Sequence, residues 1–115
     1  MAVTIYHNPR CSKSRETLAL LEANGVEPQV VLYLVAPPSK AAIKALAKKL
    51  GLNSVREMMR TKEAAYAELG LAGETSEAAL IAAMAEHPAL IERPIVVNGD
   101  RAAIGLPPAN ALEPL

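Results

Sequence analysis

The sequence predicts an α/β fold that begins with a strand–helix–strand unit and ends with a strand hairpin. A β-branched segment at residues 2–6 and an apolar segment at 29–34 flank a helical segment, an order typical of a parallel βαβ unit. Near the C-terminus, Asn98-Gly99 stands between two short apolar runs and predicts a tight antiparallel turn. The chain has 115 residues, which fits a single domain over 1–115.

The first helix is predicted over residues 12–24, with Leu18 and Leu21 on its inner face. It ends at Gly25, because glycine commonly terminates a helix. The second strand, 29–34, is mostly apolar, and we therefore expect neighbours to cover both of its faces.

A helical insertion is predicted at about residues 38–92, too short and too continuous to form a separate domain. Pro37-Pro38-Ser39 opens a helix that runs to Leu50. Ser54-x-x-Glu57 is a capping box, and it predicts a short helix that carries Arg60. Further helical segments are predicted over residues 63–69 and 76–86.

The C-terminal segment begins with Arg93-Pro94 and continues as the strands 95–97 and 101–104. Pro107-Pro108 then starts a short helix. Without the insertion, the order βαβ–ββα is that of the thioredoxin-like fold, in which the position of Pro94 carries a cis proline facing a reactive cysteine. We therefore predict an α/β, thioredoxin-like fold with a helical insertion.

Composition excludes several classes of protein. Twelve basic and twelve acidic side chains give a formal charge of zero, which argues against a general nucleic-acid binder. No apolar run reaches the roughly 18 residues of a membrane span, and no secretory signal is recognised. A single cysteine suits the reducing cytoplasm, where we expect the protein. One cysteine and two distant histidines are too few ligands for zinc, so we expect no metal site.

The candidate nucleophile is Cys11, at the point where a strand gives way to a helix. Unpaired N–H groups and the helix dipole at this end favour a thiolate, and nearby cations lower the pKa of a thiol further. The same N–H groups would hold an incoming oxyanion. An inert, buried cysteine fits poorly, because the surrounding sequence is Pro-Arg-Cys-Ser-Lys. The polar residues of this loop are His7, which would add charge if protonated, Asn8, Arg10, Ser12, Lys13, Ser14 and Arg15.

The pattern Cys11-x-x-Ser14 lacks the second cysteine of a redox pair. An oxidised or derivatised Cys11 therefore has no partner thiol in its own chain. An external thiol must complete any redox cycle.

Residues 5–18, Ile-Tyr-His-Asn-Pro-Arg-Cys-Ser-Lys-Ser-Arg-Glu-Thr-Leu, resemble the ArsC family of glutaredoxin-dependent arsenate reductases. The likeness continues through Arg60, residues 66–71 and residues 93–97, and so covers nearly the whole chain. The resemblance implies that the cysteine attacks arsenate, displaces water and leaves a thioester-like adduct. Glutathione would then attack arsenic, and glutaredoxin would reduce the mixed species so that arsenite leaves.

The resemblance also implies roles for individual residues. Cys11 would be the nucleophile, His7 would help to lower its pKa, and Ser14 would support the thiolate. Arg60 and Arg93 would hold the arsenate oxyanion, since guanidinium groups suit tetrahedral oxyanions. We expect a monomer that binds no cofactor, uses glutathione as co-substrate and has glutaredoxin as its partner.

One departure from the family pattern keeps other functions open. The family carries Gly-Arg-Pro near the C-terminus, and the arginine of this triplet is a third oxyanion ligand. This chain has Gly105-Leu106-Pro107 instead. Its nearest arginine in this segment, Arg101, lies five positions before Leu106. A glutathione-dependent thiol-disulfide oxidoreductase of the same fold, with another substrate, is therefore an alternative. A redox regulator that binds RNA polymerase is a weaker alternative, because Ser14 replaces the second cysteine of the redox switch.

Overall fold

A four-stranded sheet organises the computed structural model, which describes residues 2–115. The strands lie in the order β2-β1-β3-β4, with β1 parallel to β2 and both other pairs antiparallel. The parallel βαβ unit and the antiparallel hairpin are those predicted from the sequence. The strand bounds are Val3–Tyr6 (β1), Gln29–Val31 (β2), Ile95–Asn98 (β3) and Arg101–Ile104 (β4).

The core beside this sheet is aliphatic. Helix α1, Ser12–Ala23, contributes Leu21, which is fully buried together with Ile5 of β1 and Val96 of β3. A 3-10 helix at Pro108–Leu112 packs on α1 and on β4 and adds Ala111 to the same cluster. Burial of these side chains fixes the start of α1 relative to the ends of β1 and β3.

The prediction for the second strand was wrong in both length and burial. Strand β2 covers only three residues at the edge of the sheet, and the chain then turns as the Leu32 carbonyl accepts hydrogen bonds from the N–H groups of Val35 and Ala36. Val30, Leu32 and Leu34 are each more than 40% exposed. An apolar run predicts a buried strand only if neighbouring elements cover both faces of the sheet at that strand, and the exposure of these side chains shows that they do not cover β2 and the residues after it.

The remaining helices lie between residues 37 and 92. Ser39 caps the first of them by accepting a hydrogen bond from the N–H of Ala42, so the helix begins at Lys40 and not within the proline pair. The Ser54–Glu57 capping box is present, but its 3-10 helix, Val55–Met58, ends before Arg60. No helix in residues 2–115 has both the length and the apolar character needed to cross a membrane. The helices are α2 (Lys40–Leu50), α3 (Ala64–Glu68) and α4 (Glu77–Glu86), with shorter 3-10 helices at Leu71–Gly73 and Pro88–Leu90.

The chain divides into two compact units. The first unit contains the sheet, with residues 2–36 and 93–115, and the second contains residues 37–92. Within the second unit, α2 packs on α4 around the buried side chains of Ile43, Leu80 and Met84. The bounds of the second unit nearly coincide with the insertion at 38–92, and the organisation of 1–115 as one domain remains a prediction.

Candidate active site

Cys11 is the N-cap residue of α1, as its place in the sequence predicts. Its backbone is extended, with φ −94° and ψ 123°, and its carbonyl accepts the first helical hydrogen bond from the N–H of Arg15. The Cys11 N–H donates to the Asn8 carbonyl at 3.0 Å, which closes the loop between β1 and α1. The side chain is partly exposed and forms no disulfide. A thiol in this place is accessible and faces the unpaired N–H groups of the helix.

The surroundings of Cys11 favour its thiolate. Burial raises the pKa of the thiol, but this effect is outweighed by hydrogen bonds from the Ser14 N–H, the Arg93 side chain and the Lys13 N–H, and by the positive charge of Arg93. The net pKa lies below the ordinary value for cysteine. Two backbone donors of α1 and one guanidinium thus act on the same sulfur atom.

Ser14 acts on Cys11 through its backbone N–H, because its hydroxyl forms hydrogen bonds with His7 and Asn8. The Ser14 side chain is fully buried, and its Oγ lies 2.7 Å from Nδ1 of His7. The Asn8 N–H donates to the same oxygen at 3.0 Å. The hydroxyl therefore fixes the loop between β1 and α1, while the Ser14 N–H stabilises the thiolate.

His7 does not act as a cation at neutral pH. The imidazole is only 6% exposed. Burial, and then the positive charge of Arg15, lower the pKa of His7 below 6.5. The imidazole is consequently neutral at pH 7, and the expectation that its charge would assist Cys11 is corrected to a contact made through Ser14.

Arg93 ends the long connection that precedes β3 and is followed by Pro94 in a cis peptide. Its side chain acts on the Cys11 thiol by hydrogen bonding and by positive charge, and both effects lower the pKa of the thiol. Its Nε is buried and has no hydrogen-bond partner within residues 2–115. A buried guanidinium N–H without an acceptor is rare, because the desolvation cost is substantial. An oxyanion held beside Cys11 would supply that acceptor.

The other loop residues have mainly local roles. Asn8 Oδ1 accepts a hydrogen bond from the Arg10 N–H at 3.0 Å, and the Arg10 side chain is exposed. Lys13 Nζ lies 3.7 Å from Glu16, with both side chains more than half exposed. Ser12 is exposed in the first turn of α1. The contribution of Lys13 to the thiolate is therefore its backbone N–H.

Arg60 lies in the second unit, where Nη1 pairs with the Glu63 carboxylate at 2.9 Å. Its backbone N–H donates to the Leu90 carbonyl at 2.7 Å. Both partners of the ion pair have side chains that are 30% exposed, so the guanidinium is accessible and only one of its donors is committed to Glu63.

Arg101 does not replace the arginine that the family places at position 106. In the register of the hairpin, Arg101 pairs with Asn98, whereas Ile104 pairs with Ile95 at the opposite end. Its Nη2 donates to the Glu113 carbonyl at 2.7 Å. Three residues of extended strand span about 10 Å, so Arg101 is held at the far end of the hairpin from Arg93.

Two buried residues beside this site were not identified as candidates from the sequence. Thr17 is fully buried on α1, and its hydroxyl donates to the Lys13 carbonyl at 2.8 Å. Gly105 is buried where β4 ends. The only signal in the sequence is that Thr17 lies four residues before Leu21 and so shares its inward face. Within residues 2–115, no group of three or more His, Cys, Asp or Glu side chains is placed to hold a metal ion.

Comparisons with known proteins show the family of the chain. The model of the ArsC family matches residues 6–113. An arsenate reductase of Haemophilus influenzae is 56% identical over 114 residues, which cover 98% of each chain. A solved arsenate reductase from Vibrio cholerae superposes with a TM-score of 0.97 at 59% identity and covers 100% of this chain and 98% of its own. An uncharacterized protein of Escherichia coli K12 is 61% identical over 112 residues, 96% of this chain and 94% of its own.

Proposed function

The chain belongs to the ArsC family, and on this premise we propose that it is an arsenate reductase with Cys11 as its nucleophile. The observation that carries the proposal is the double role of Arg93. Its guanidinium lowers the pKa of the Cys11 thiol and retains a buried Nε–H with no acceptor in residues 2–115. A nucleophile and a donor for the substrate oxyanion are thus held side by side.

In the first step, the Cys11 thiolate attacks the arsenic of arsenate. A sulfur–arsenic bond forms, and one arsenic–oxygen bond breaks as the departing oxygen is protonated and leaves as water. Arsenic remains pentavalent. The Lys13 and Ser14 N–H groups, which stabilise the thiolate before attack, are released to the arsenate oxygens as the sulfur loses its charge.

The second step needs two further thiols, because this chain has a single cysteine. The glutathione thiol attacks arsenic and displaces a second oxygen as water, so that a second sulfur–arsenic bond forms. The glutaredoxin thiol then attacks the glutathione sulfur, a disulfide forms, and the electron pair of the broken sulfur–arsenic bond stays on arsenic, which becomes trivalent. Water then cleaves the bond between Cys11 and arsenic and releases arsenite. Two electrons pass from two thiols to arsenic, so that arsenate and two thiols yield arsenite, one disulfide and one water. A reduced glutathione pool is a feature of the cytoplasm, and we propose that location for the protein.

Exposed apolar side chains beside the catalytic loop support an encounter with a protein thiol donor. Residues 7–10 form one wall of a cavity of about 240 Å³, and Leu32, Leu34 and Val35 line the other. Val35 is 82% exposed. Apolar surface next to a reactive centre commonly marks a contact surface, and we assign this one to glutaredoxin.

Arg60 is proposed to supply a second guanidinium to arsenate. Its side chain is accessible, and the single bond to Glu63 leaves other donors available. A guanidinium that binds the substrate oxyanion would also stabilise charge on the adduct.

A thiol-disulfide oxidoreductase with another substrate is the second candidate. The observation that favours it is Leu106, which is 41% exposed where the family has an oxyanion ligand. Such an enzyme would use the same Cys11 thiolate on a mixed disulfide of glutathione and would not need a third arginine.

Arsenate-dependent NADPH oxidation, coupled through glutathione, glutaredoxin and glutathione reductase, tests the proposal. We expect turnover by the wild type, loss to background in Cys11→Ser, and full activity in the control Thr75→Ser, an exposed position before α4. Turnover that survives in Cys11→Ser contradicts the proposed nucleophile. Turnover of a glutathionylated peptide without any response to arsenate supports the second candidate instead.

A further inference from the structure

Gly105 lies where three segments of the first unit pack very closely together. A Cβ atom at this position would lie 2.8 Å from Thr17 Oγ1, 2.9 Å from Pro94 Cγ and 3.1 Å from Thr17 Cγ2. The Gly105 N–H also donates to the Pro94 carbonyl at 2.9 Å. Gly105 is not among the glycines with positive φ, so it is required for its lack of a side chain and not for its backbone conformation.

Neither neighbour of Gly105 can move easily. Thr17 is fully buried, is stiff at χ1 because it is β-branched, and is fixed by its hydrogen bond to the Lys13 carbonyl. Pro94 is a buried ring with a fixed φ. A methyl group on Gly105 must therefore displace one backbone segment from the other.

The two segments that meet at Gly105 are those that stabilise the Cys11 thiolate. Pro94 directly follows Arg93, whose side chain lowers the pKa of the Cys11 thiol. Thr17 lies one helical turn after Lys13, to whose carbonyl it donates, and the Lys13 N–H contributes to the lowered pKa of the Cys11 thiol. The spacing between α1 and the Arg93–Pro94 segment therefore sets the distance between guanidinium and thiol.

We propose that Gly105 and Thr17 are positioning residues, whose close packing at the Pro94 ring holds α1 against the Arg93–Pro94 segment and so keeps the Arg93 guanidinium near the Cys11 thiol. They touch neither sulfur nor substrate and act through Arg93. The inference rests on the proposed function in one respect only, which is the binding of arsenate by Arg93.

Gly105→Ala tests the proposal without arsenate. The rate of alkylation by iodoacetamide, measured against pH, gives the pKa of the single cysteine. We expect this pKa to rise by roughly half to one pH unit, because part of a charge-assisted hydrogen bond is lost, which makes alkylation about three- to tenfold slower at pH values below the pKa. The matched control is Gly73→Ala, where a Cβ has no neighbour within 4 Å and φ is not positive, and we expect no change.

Thr17→Ala removes the α1 side of the same contact without adding bulk. It should also raise the Cys11 pKa, because Pro94 and with it Arg93 gain freedom to move away. In the double variant the methyl group introduced at position 105 occupies space that the Thr17 side chain vacates, and the combined shift should be smaller than the sum of the single shifts.

A folded Gly105→Ala protein with an unchanged Cys11 pKa overturns the proposal, even if its thermal stability falls. Should Gly105→Ala fail to fold, Thr17→Ala decides, and an unchanged pKa there overturns the proposal equally. Alkylation needs no substrate, so the pKa of Cys11 can be measured even in an enzyme that does not reduce arsenate. A wild type without arsenate turnover would therefore contradict the proposed function but would not affect this test.

Discussion

Ser14 Oγ and His7 Nδ1 lie 2.7 Å apart, and both side chains are buried behind the loop that carries Cys11. The same oxygen accepts the Asn8 N–H. This contact joins the end of β1 to the first turn of α1. It holds the Ser14 N–H near the Cys11 thiol. The Ser14 hydroxyl therefore influences the environment of the sulfur without contacting it.

Ser14→Ala tests this interpretation. The variant leaves the Asn8 N–H and the His7 ring without their partner at a buried position, and we expect a loss of about 1–3 kcal/mol in the free energy of unfolding. The Cys11 pKa should rise less than in an Arg93 variant, because the backbone N–H of residue 14 remains. Urea unfolding and the pH dependence of alkylation measure the two effects. A pKa shift as large as that of Arg93→Ala would show that the hydroxyl acts on the sulfur directly.

His7 predicts a pH dependence of stability. Because burial and Arg15 lower its pKa, folded His7 binds a proton less tightly than in the unfolded chain. The full stability is present above the unfolded value near 6.5 and declines as the pH falls below it. Urea unfolding at pH 7 and pH 5 should show this decline in the wild type and in His87→Gln, but less of it in His7→Gln. An equal decline in all three proteins would exclude His7 as its source.

Arg60→Ala separates substrate binding from thiol activation. We expect the KM for arsenate to rise by about one to two decades, the equivalent of one charged hydrogen bond of roughly 1.5–3 kcal/mol. The Cys11 pKa should stay unchanged, because Arg60 is not among the groups that shift it. Steady-state kinetics and alkylation give both values. An unchanged KM would remove Arg60 from the proposed oxyanion site.

Leu106→Arg tests the departure from the family pattern. Leu106 is 41% exposed, so the longer side chain can be accommodated, and one added guanidinium should lower the KM for arsenate by about one to two decades. Leu69→Arg, 47% exposed in the second unit, is the control for added charge. Activity in Leu106→Arg alone, with an inactive wild type, would mean that the natural substrate is not arsenate. Equal gains in both variants would indicate a general effect of charge.

The sequence predicted features that depend on local signals. Cys11 stands at a helix start, Asn98-Gly99 makes the hairpin turn, and Ser54 with Glu57 forms a capping box, because each depends on residues within a few positions of one another. These signals were sufficient for the order of the elements and for the place of Cys11 at the start of a helix.

Features that depend on distant neighbours were not predictable in this way. Strand β2 lies at the edge of the sheet because it pairs with β1 alone. The pKa of His7 is lowered because the imidazole is buried. The contact of Gly105 with Thr17 and Pro94 joins residues that are far apart in the sequence, and only packing brings them together. The periodicity of the sequence does not predict such a contact.

The central claim is that the Cys11 thiolate, stabilised by Arg93, is the group that attacks arsenate. Its most direct test compares two pH profiles, alkylation and kcat/KM for arsenate, in the wild type and in Arg93→Ala. Removal of Arg93 takes away a hydrogen bond and a positive charge that lower the thiol pKa, so the alkylation profile should move to higher pH. The ionisation of arsenate is common to both proteins, and we therefore predict that the turnover profile moves by the same amount. A turnover profile that stays in place while the alkylation profile moves would contradict the claim.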